Sequence, residues 1–355
     1  MDPSQDLLGR GGLLPRDKSL LLRLLSAVEG TIASSDRLRS DLATVSKELR
    51  RTLDEPVGPR ASALTVRGRT LRWGERTYVM GILNVTPDSF SGDGLLQSVA
   101  PEGSVEAAVR CGLALLAEGA DIIDIGGEST RPGSTPVDAE AERERVVPVI
   151  AALRRACDAP ISVDTYRASV ARAALDAGAD MVNDVWGLAM DPDLAPLLAE
   201  RGAPVIIMHN RSKPKDADQQ ERLGGRYVGV QYDSLLADVC RELAGRVETA
   251  LRSGILPEQI IVDPGIGFGK TVEQNLYLLN HLDVFLALGY PILVGPSRKS
   301  FIGYTLDVPP DDRLEGTAAT VALSITRGAH MVRVHDVRAM ARVARMTDAI
   351  VRANV

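Results

Sequence analysis

The sequence has little cysteine, no excess of positive charge and no long apolar run, and each absence excludes a class of protein. Its 355 residues include three cysteines, Cys111, Cys157 and Cys240, each inside a stretch of helical character. There is no CxxC pair and no histidine at the spacing of a zinc site. We therefore interpret the three cysteines as buried thiols rather than as metal ligands or disulfide partners.

Charge and hydropathy exclude two further classes. The formal net charge is −6 and the sequence pI is about 5.4, which gives no long-range attraction for nucleic acid or an anionic membrane. No apolar run approaches the ~20 residues that a membrane-spanning helix needs. The first residues, MDPSQDLLGRGGLLPRDK, lack the basic and apolar regions of a signal peptide. We expect a cytoplasmic protein that binds neither nucleic acid nor membrane.

The chain divides near residue 60. From Lys18 to Leu53, apolar residues recur at three- and four-residue steps between charges, which predicts one long or two short amphipathic helices. Prolines 56 and 59 end this pattern. We therefore expect residues 1–60 to be a helical N-terminal extension of unknown role, and residues 61–355 to form the main domain. The alternation from Leu64 to Met80 predicts a small β-hairpin that leads into that domain.

A strand-and-helix rhythm then repeats about eight times. The predicted strands are apolar runs that each precede a polar turn and an amphipathic stretch: YVMGILNV, DIIDIG, PISVD, DMVND, PVIIMH, QIIVD, PILVG and HMVRVH. The segments SVEAAVRCGLALLAEGA and RASVARAALDAGA are typical of the intervening helices, with Gly-Ala at their C-terminal caps. Eight such units in about 280 residues indicate an α/β fold of the TIM (β/α)8 barrel type. A doubly wound open sheet is the alternative, although no GxGxxG motif follows the first strand.

One glycine-rich segment resembles a phosphate-binding loop. GIGFGKT, from Gly265 to Thr271, has its first glycine one residue too close to the Gly-Lys pair for the GxxxxGK[ST] pattern. That interpretation is therefore weak.

Every predicted strand delivers polar residues at its C-terminal end, where the reacting groups of a TIM barrel lie. Any one of them could simply cap the next helix, and for Thr165, Asp184 and Ser297 this explanation is as good as a functional one. The strand-end residues are Asn84, the GGESTRPG loop after the second strand, Asp164, Asn183, Asp184, His209, Asn210, Asp263, the PSRKS segment, Arg333 and His335. All eight ends being polar favours a binding site at this end of the barrel.

The strand-end residues fall into two chemical groups. Carboxylates, an amide and an ammonium can satisfy a flat heterocycle with an amidine-like edge, and these are offered by Asp164, Asn183, Asp263 and Lys299. A neutral oxygen suits a hard cation and two cationic donors suit a phosphate, and these are offered by Asn84, Arg333 and His335. The pattern indicates a heterocycle at one end of the site and a phosphate at the other.

From Tyr78 to the C-terminus the chain resembles the dihydropteroate synthase family. Seven motifs carry the resemblance, in the order of the family and each at a different strand end: GILNVTPDSFSGDG, DIIDIGGESTRPG, SVDTYRA, VNDVWG, DPGIGFGK, GPSRKSFIG and RVHDV. The resemblance implies a transferase of folate biosynthesis that joins 6-hydroxymethyl-7,8-dihydropterin diphosphate to 4-aminobenzoate and releases pyrophosphate. It also implies a magnesium cofactor, a homodimer and a target of sulfonamides.

The resemblance also implies residue roles. It places Asp164, Asn183, Asp263, Phe268 and Lys299 at the pterin, and Asn84, Arg333 and His335 at the diphosphate, with Asn84 also as the residue associated with magnesium. It places Thr130, Arg131, Pro132 and Ser300 at the aminobenzoate. Asp164, Lys299, Arg333 and His335 are the implied catalytic residues. The first loop departs from the family, because Asp93 follows Gly92 where the family commonly reads SFSDGG, which puts the role of Asp93 in doubt.

Two rival functions remain. A pterin-binding methyltransferase would use a similar barrel but would not need the STRPG, SRKS and RVH segments. A barrel that had lost catalysis would be expected to lack some of Asn84, Asp164, Lys299 or Arg333, and all four are present.

Overall fold

The computed structural model describes residues 61–85, 104–128, 137–212, 217–220, 222–228 and 230–353. The predicted helices of residues 1–60 lie outside these ranges. So do Asp93 and the aminobenzoate residues Thr130, Arg131 and Pro132.

Eight parallel strands form the barrel, after an antiparallel hairpin of β1 (Ala63–Val66) and β2 (Arg69–Arg72). Each barrel strand pairs with the next along the chain, and the last pairs with the first. The strands are β3 (Tyr78–Asn84), β4 (Ile122–Gly126), β5 (Ile161–Asp164), β6 (Met181–Asp184), β7 (Val205–Met208), β10 (Ile260–Asp263), β11 (Leu293–Val294) and β12 (Met331–Val334). A single bridge, Val262 to Ile292, joins β10 to β11 and closes the barrel.

Helices cover the outside of the barrel. They are α1 (Ser104–Glu118), α2 (Ala139–Ala156), α3 (Ala168–Ala177), α4 (Leu194–Arg201), α5 (Leu235–Arg252), α6 (Val272–Asn280), α7 (Ser300–Leu306), α8 (Leu314–Thr326) and α9 (Val337–Val351). Short 3-10 helices, Pro257–Gln259 and Leu282–Leu288, precede β10 and β11. The predicted glycine cap of α3 is confirmed, because Gly178 ends that helix with φ of 111° and its N–H donates to carbonyls of the last turn.

Successive side chains of each strand point to opposite sides of the barrel wall, so the apolar residues form two layers. Outward residues such as Ile123, Val163 and Val262 pack under the helices in the larger core. Inward residues such as Met181, Ile261 and Met331 fill the barrel near its N-terminal end, together with Leu71 and Trp73 of the hairpin segment. The hairpin therefore closes the bottom of the barrel. In four of the strands the inward position two residues further along is polar, namely Asp124, Asn183, Asp263 and Arg333.

The predictions of eight strands, a barrel and a leading hairpin are confirmed. A second hairpin, β8 (Ala217–Gln220) and β9 (Gly224–Tyr227), was not predicted. Its strands have no β-branched residue, and a tertiary contact holds it, since the Tyr304 hydroxyl donates to the Gly224 carbonyl at 3.1 Å. The three cysteines are free but only partly buried, rather than fully buried as expected. No helix in the described ranges is long and apolar enough to cross a membrane.

Candidate active site

Polar side chains converge at the C-terminal end of the barrel because they occupy inward strand positions. Asp124, Asn183 and Asp263 each follow, by two residues, an apolar residue that fills the barrel lower down. All three are buried. The site is therefore a polar layer directly above the apolar plug, at the end where barrel enzymes bind their substrates.

Arg333 links the carboxylates of this layer. Its Nε donates to Asp124 Oδ2 at 2.6 Å, and its Nη2 donates to Asp164 Oδ2 at 2.8 Å. The Asn183 amide donates to the same Asp124 oxygen at 3.0 Å. Burial would lower the pKa of Arg333, but Asp124 and Asp164 outweigh it and raise that pKa, so the guanidinium stays charged.

Asp164 differs from an ordinary carboxylate. Burial raises the pKa of Asp164 to about 7, although the Arg333 charge acts to lower it and the Asp124 charge raises it further. The two protonation states of Asp164 are therefore close in free energy near neutral pH. Such a group can respond to a charge that develops on a ligand beside it.

Asp263 and Lys299 lie around the loop Gly265–Gly269. Asp263 Oδ1 accepts the Gly265 N–H at 2.7 Å, and burial raises the pKa of Asp263 despite the nearby Lys299. The Lys299 ammonium donates to the Ile266 carbonyl and lies 4.3 Å from the centre of the Phe268 ring, a cation–π contact. Burial lowers the pKa of Lys299 to about 7, while Asp263 acts in the opposite direction. The structure thus brings Phe268 and Lys299 together with Asp263, as the family resemblance implies.

The PSRKS segment is held in a strained conformation. Arg298 has φ of 56°, which is uncommon for a residue with a side chain. Its guanidinium forms a two-bond ion pair with Asp336, at 2.9 and 2.6 Å. Ser300 is the first residue of α7 and is partly exposed. The ion pair therefore fixes the segment that carries Lys299 and Ser300 to the turn after β12.

His335 and Asn84 complete the set that the sequence predicted. Ser297 Oγ accepts the His335 N–H at 3.1 Å and lies 3.1 Å from His335 Nδ1, so Ser297 orients the imidazole. Asn84 ends β3 beside Gly126 of β4, and its amide has no hydrogen-bond partner among the described residues. No cluster of three or more His, Cys, Asp or Glu suited to a metal is found within those residues either.

Several polar strand ends have structural roles instead. Both carboxylate oxygens of Asp184 accept backbone N–H groups, from Trp186 at 2.8 Å and from Leu188 at 2.6 Å, so Asp184 caps the turn after β6. Thr165 accepts the Arg167 N–H at 3.2 Å. His209 is fully buried, its backbone N–H donates to the Asp263 carbonyl at 2.9 Å, and its imidazole bonds to Lys270 rather than facing the site. For these residues the capping or packing interpretation describes the contacts seen.

Asp124 is the member of the layer that sequence reasoning missed. It lies in the middle of β4, whereas the predicted site residues lie at strand ends or in loops. Its signal was a charged residue at an inward position of an otherwise apolar run, DIIDIG. Asp124 Oδ1 and the neighbouring Ser162 hydroxyl are buried without a partner in the described structure, which leaves hydrogen-bonding capacity at the floor of the site.

The chain is similar to known pterin-binding proteins over most of its length. Residues 80–335 match the family described as "Pterin binding enzyme". The dihydropteroate synthase of Synechocystis sp. is 48% identical over 285 residues, which cover 80% of this chain and 93% of that protein. Two solved structures cover 83% and 82% of this chain and 100% of theirs. Xanthomonas albilineans dihydropteroate synthase with 4-aminobenzoic acid has a TM-score of 0.72 at 42% identity, and the Yersinia pestis enzyme with a sulfonamide drug has a TM-score of 0.73 at 39% identity.

Fold, site and sequence similarity agree. The barrel places Asp164, Asn183, Asp263, Lys299 and Arg333 at one mouth, and the same stretch of chain carries the family match. The chain therefore belongs to the pterin-binding enzyme family and, within it, to the dihydropteroate synthases.

Proposed function

We propose that the barrel mouth binds 6-hydroxymethyl-7,8-dihydropterin diphosphate and 4-aminobenzoate and joins them into 7,8-dihydropteroate with release of pyrophosphate. The observation that carries this proposal is the convergence of three carboxylates, an amide and two cations in one layer over a sealed apolar plug. The described layer suits a flat, polar ring better than an aliphatic substrate, since it can pair donors and acceptors around an edge.

The pterin occupies the carboxylate side of the layer in this proposal. Asp263 accepts from the N–H and NH₂ groups of the ring, and Asn183 offers its remaining amide groups after donating to Asp124. Lys299 and Phe268 lie together beside Asp263 and contact the ring and its carbonyl. Asp164 stabilises the cationic pterin that forms when the bond to the diphosphate breaks.

The bond that breaks is the C–O bond between the pterin methylene and the diphosphate, and its electron pair leaves with the diphosphate. Arg333 and His335 bind the departing anion. The amino nitrogen of 4-aminobenzoate forms the new C–N bond and loses one proton. Holding both substrates in line is the main contribution of the site to the rate.

Magnesium is part of this proposal, with Asn84 as its protein ligand. A single amide oxygen fits Mg²⁺ because this ion often binds through one or two protein oxygens and substrate phosphates, and Asn84 has an amide without a partner in the described chain. When bound, the ion would supply positive charge against the diphosphate.

The aminobenzoate side is assigned to Ser300 and to Thr130, Arg131 and Pro132. Ser300 follows Lys299 directly, so a ligand can contact both residues. The other three lie outside the described residues, and their role stays a prediction. By analogy with the Yersinia pestis complex, we propose that sulfonamides bind here in place of 4-aminobenzoate. The homodimer and the cytoplasmic location also stay predictions.

The test is a pyrophosphate-release assay with both substrates and with Mg²⁺ present or removed by EDTA. We expect release that needs both substrates and the metal, and a large loss in the Lys299→Met variant. Arg201→Met is the matched control, because Arg201 pairs with Asp176 on the surface at 2.6 Å.

Two results would contradict the proposal. Pyrophosphate release without aminobenzoate would indicate a hydrolase, and no release by wild-type protein that binds the pterin would favour a binding protein. Methyl transfer from a methylated pterin would favour the methyltransferase alternative.

A further inference from the structure

The GIGFGKT segment resembles a phosphate-binding loop in sequence, but its lysine points into the protein. Lys270 is 2% exposed, and its Nζ donates to the carbonyls of Gly265 at 2.9 Å and Phe268 at 3.0 Å. Its third partner is His209 Nδ1, also at 3.0 Å. Burial lowers the pKa of Lys270 to about 7, and in its ammonium form these three acceptors use all three of its protons. Lys270 therefore has no donor left for a substrate phosphate.

A second set of residues supports Lys270 from behind. His209 Nε2 lies 3.0 Å from Glu242 Oε2, and Arg211 Nε donates to Glu242 Oε1 at 2.9 Å. Burial, together with the charge of Lys270, lowers the pKa of His209 to about 2, so the imidazole is neutral. Its partners then assign the proton to Nε2, facing Glu242, and the lone pair to Nδ1, facing Lys270.

Side chains bond to six of the ten backbone N–H and C=O groups of the loop Gly265–Gly269. The Ile266 carbonyl accepts from Lys299, and the Gly269 carbonyl accepts from the Tyr232 hydroxyl at 2.9 Å. The Gly267 N–H donates to Asn275 Oδ1 at 2.6 Å. Together with the two bonds from Lys270, these contacts hold the loop in the observed conformation.

This conformation decides where the pterin-facing groups lie. The Gly265 N–H orients the Asp263 carboxylate, and the ring of Phe268 lies under the Lys299 ammonium. Lys270 binds the carbonyls of these same two loop residues, Gly265 and Phe268. A change at Lys270 would therefore reach Asp263 and Phe268 together, without any contact between Lys270 and the ligand.

We propose that Lys270, supported by His209, is a positioning residue for pterin recognition: it fixes the loop Gly265–Gly269 so that Asp263, Phe268 and Lys299 present their groups to the ring. This inference rests on the proposed roles of those three residues. It predicts that Lys270 affects binding of the pterin ring through the loop and does not bind the diphosphate.

The experiment compares the affinities of two ligands for the Lys270→Met variant by calorimetry. The ligands are 6-hydroxymethyl-7,8-dihydropterin and its diphosphate. Methionine keeps the length and loses the donors. Both affinities should fall by about tenfold or more, because the Phe268 carbonyl loses its partner and the Gly265 carbonyl keeps only the Phe268 N–H. In turnover assays, the KM for the pterin diphosphate should rise while the KM for aminobenzoate stays close to that of the wild type.

Arg154→Met is the matched control. Arg154 also donates to two backbone carbonyls, those of Gly178 at 3.0 Å and Cys157 at 3.2 Å, on the outside of the barrel and away from the site. This variant should lower the melting temperature and leave pterin affinity unchanged. Equal pterin affinity in wild type and Lys270→Met, with a lower melting temperature, would show that Lys270 only stabilises the fold and would overturn the proposal.

Two further outcomes are separable. Weaker binding of the diphosphate alone would identify Lys270 as a phosphate ligand and would also overturn the proposal. If Lys270→Met does not fold, Lys270→Gln decides, since its neutral amide keeps two N–H donors at a shorter reach. Its pterin affinity should lie below that of the wild type, and an unchanged affinity would overturn the proposal. Wild-type protein that failed to bind the pterin would instead refute the proposed function.

Discussion

At the scale of single residues, Asp164, Lys299 and the loop-holding Lys270 ionise near neutral pH. Burial raises the pKa of Asp164 to about 7 and lowers the pKa values of Lys299 and Lys270 to about 7. The proposed chemistry needs Asp164 as the carboxylate and both lysines as ammonium groups. Activity should therefore rise with pH as Asp164 ionises and fall as the two lysines lose their protons. We expect a bell-shaped profile of kcat/KM for the pterin diphosphate, because this ratio reports the free enzyme.

The Asp124→Asn variant should shift the acid limb of that profile and leave the alkaline limb in place. Burial is the main cause of the raised pKa of Asp164, and the charges that act on it are Arg333, which lowers it, and Asp124, Glu142 and Asp184, which raise it. Removing the Asp124 charge should shift the acid limb down by about one pH unit. The alkaline limb should stay, since Asp124 is not among the charges that act on Lys299 or on Lys270.

Asp176→Asn is the control for this shift. Asp176 forms a surface pair with Arg201 at 2.6 Å, so its variant should move neither limb. If the acid limb of Asp124→Asn coincides with that of the wild type, the charge of Asp124 does not affect the pKa of the group that titrates there.

At the scale of elements, one glycine in the pterin-side loop and one in a surface helix should respond oppositely to substitution by alanine. Gly267 has φ of +82°, and a Cβ there would lie 2.5 Å from Lys299 Cδ. Gly267→Ala should cost about 1–3 kcal/mol of stability and displace Lys299, which raises the KM for the pterin diphosphate. Gly245 lies within α5 and a Cβ there would meet nothing within 4 Å, so Gly245→Ala should stabilise the protein by about 0.5–1 kcal/mol.

Thermal denaturation and steady-state kinetics of the two variants check this pair. Normal pterin kinetics in Gly267→Ala would show that the loop tolerates a side chain and that Lys299 is not placed by it.

The elements that sequence could predict are those whose signal is local. Each barrel strand is a short apolar run with a polar end, so β3 to β7 and β10 to β12 were found. The hairpin β8–β9 was missed because, of its strand residues, only Tyr227 is of a type that favours strands. It also depends on Tyr304, which lies 80 positions from its partner Gly224. The site shows the same division. Asp263 and Lys299 stand in motifs, whereas the structural use of Lys270 depends on His209, 61 residues away.

At the scale of the whole molecule, the order of the strands followed from the sequence but their contacts across the barrel did not. Eight βα units predict that each strand pairs with the next. They do not predict that Arg333 of the last strand reaches Asp124 of the second and Asp164 of the third, because that depends on strand tilt and on the inward direction of each side chain. Asp124 was therefore visible in the sequence as a charge in a strand, but its partners were not.

A single bridge joins β10 to β11, so we infer that this strand pair, here called the seam, is the weakest in the barrel. Amide hydrogen exchange can follow its opening, because the Val262 N–H donates across the seam to the Pro291 carbonyl at 2.9 Å. The Ile123 and Val182 N–H groups make the same kind of bond, to Pro160 at 3.1 Å and Pro204 at 3.0 Å, across seams with several paired residues. In the free protein Val262 should exchange faster than either.

The seam also separates the strand that ends at Asp263 from the strand that leads to Lys299, so a ligand that contacts both residues bridges it. Opening should then require the ligand to leave, and a pterin at 100 times its dissociation constant should slow exchange at Val262 by about 100-fold. Ile123 and Val182 should gain less protection, and equal protection at all three amides would show that the barrel opens as one unit. If Val262 alone is protected in this way, the free enzyme opens locally between β10 and β11. Bound pterin then completes the barrel by holding these two strands together.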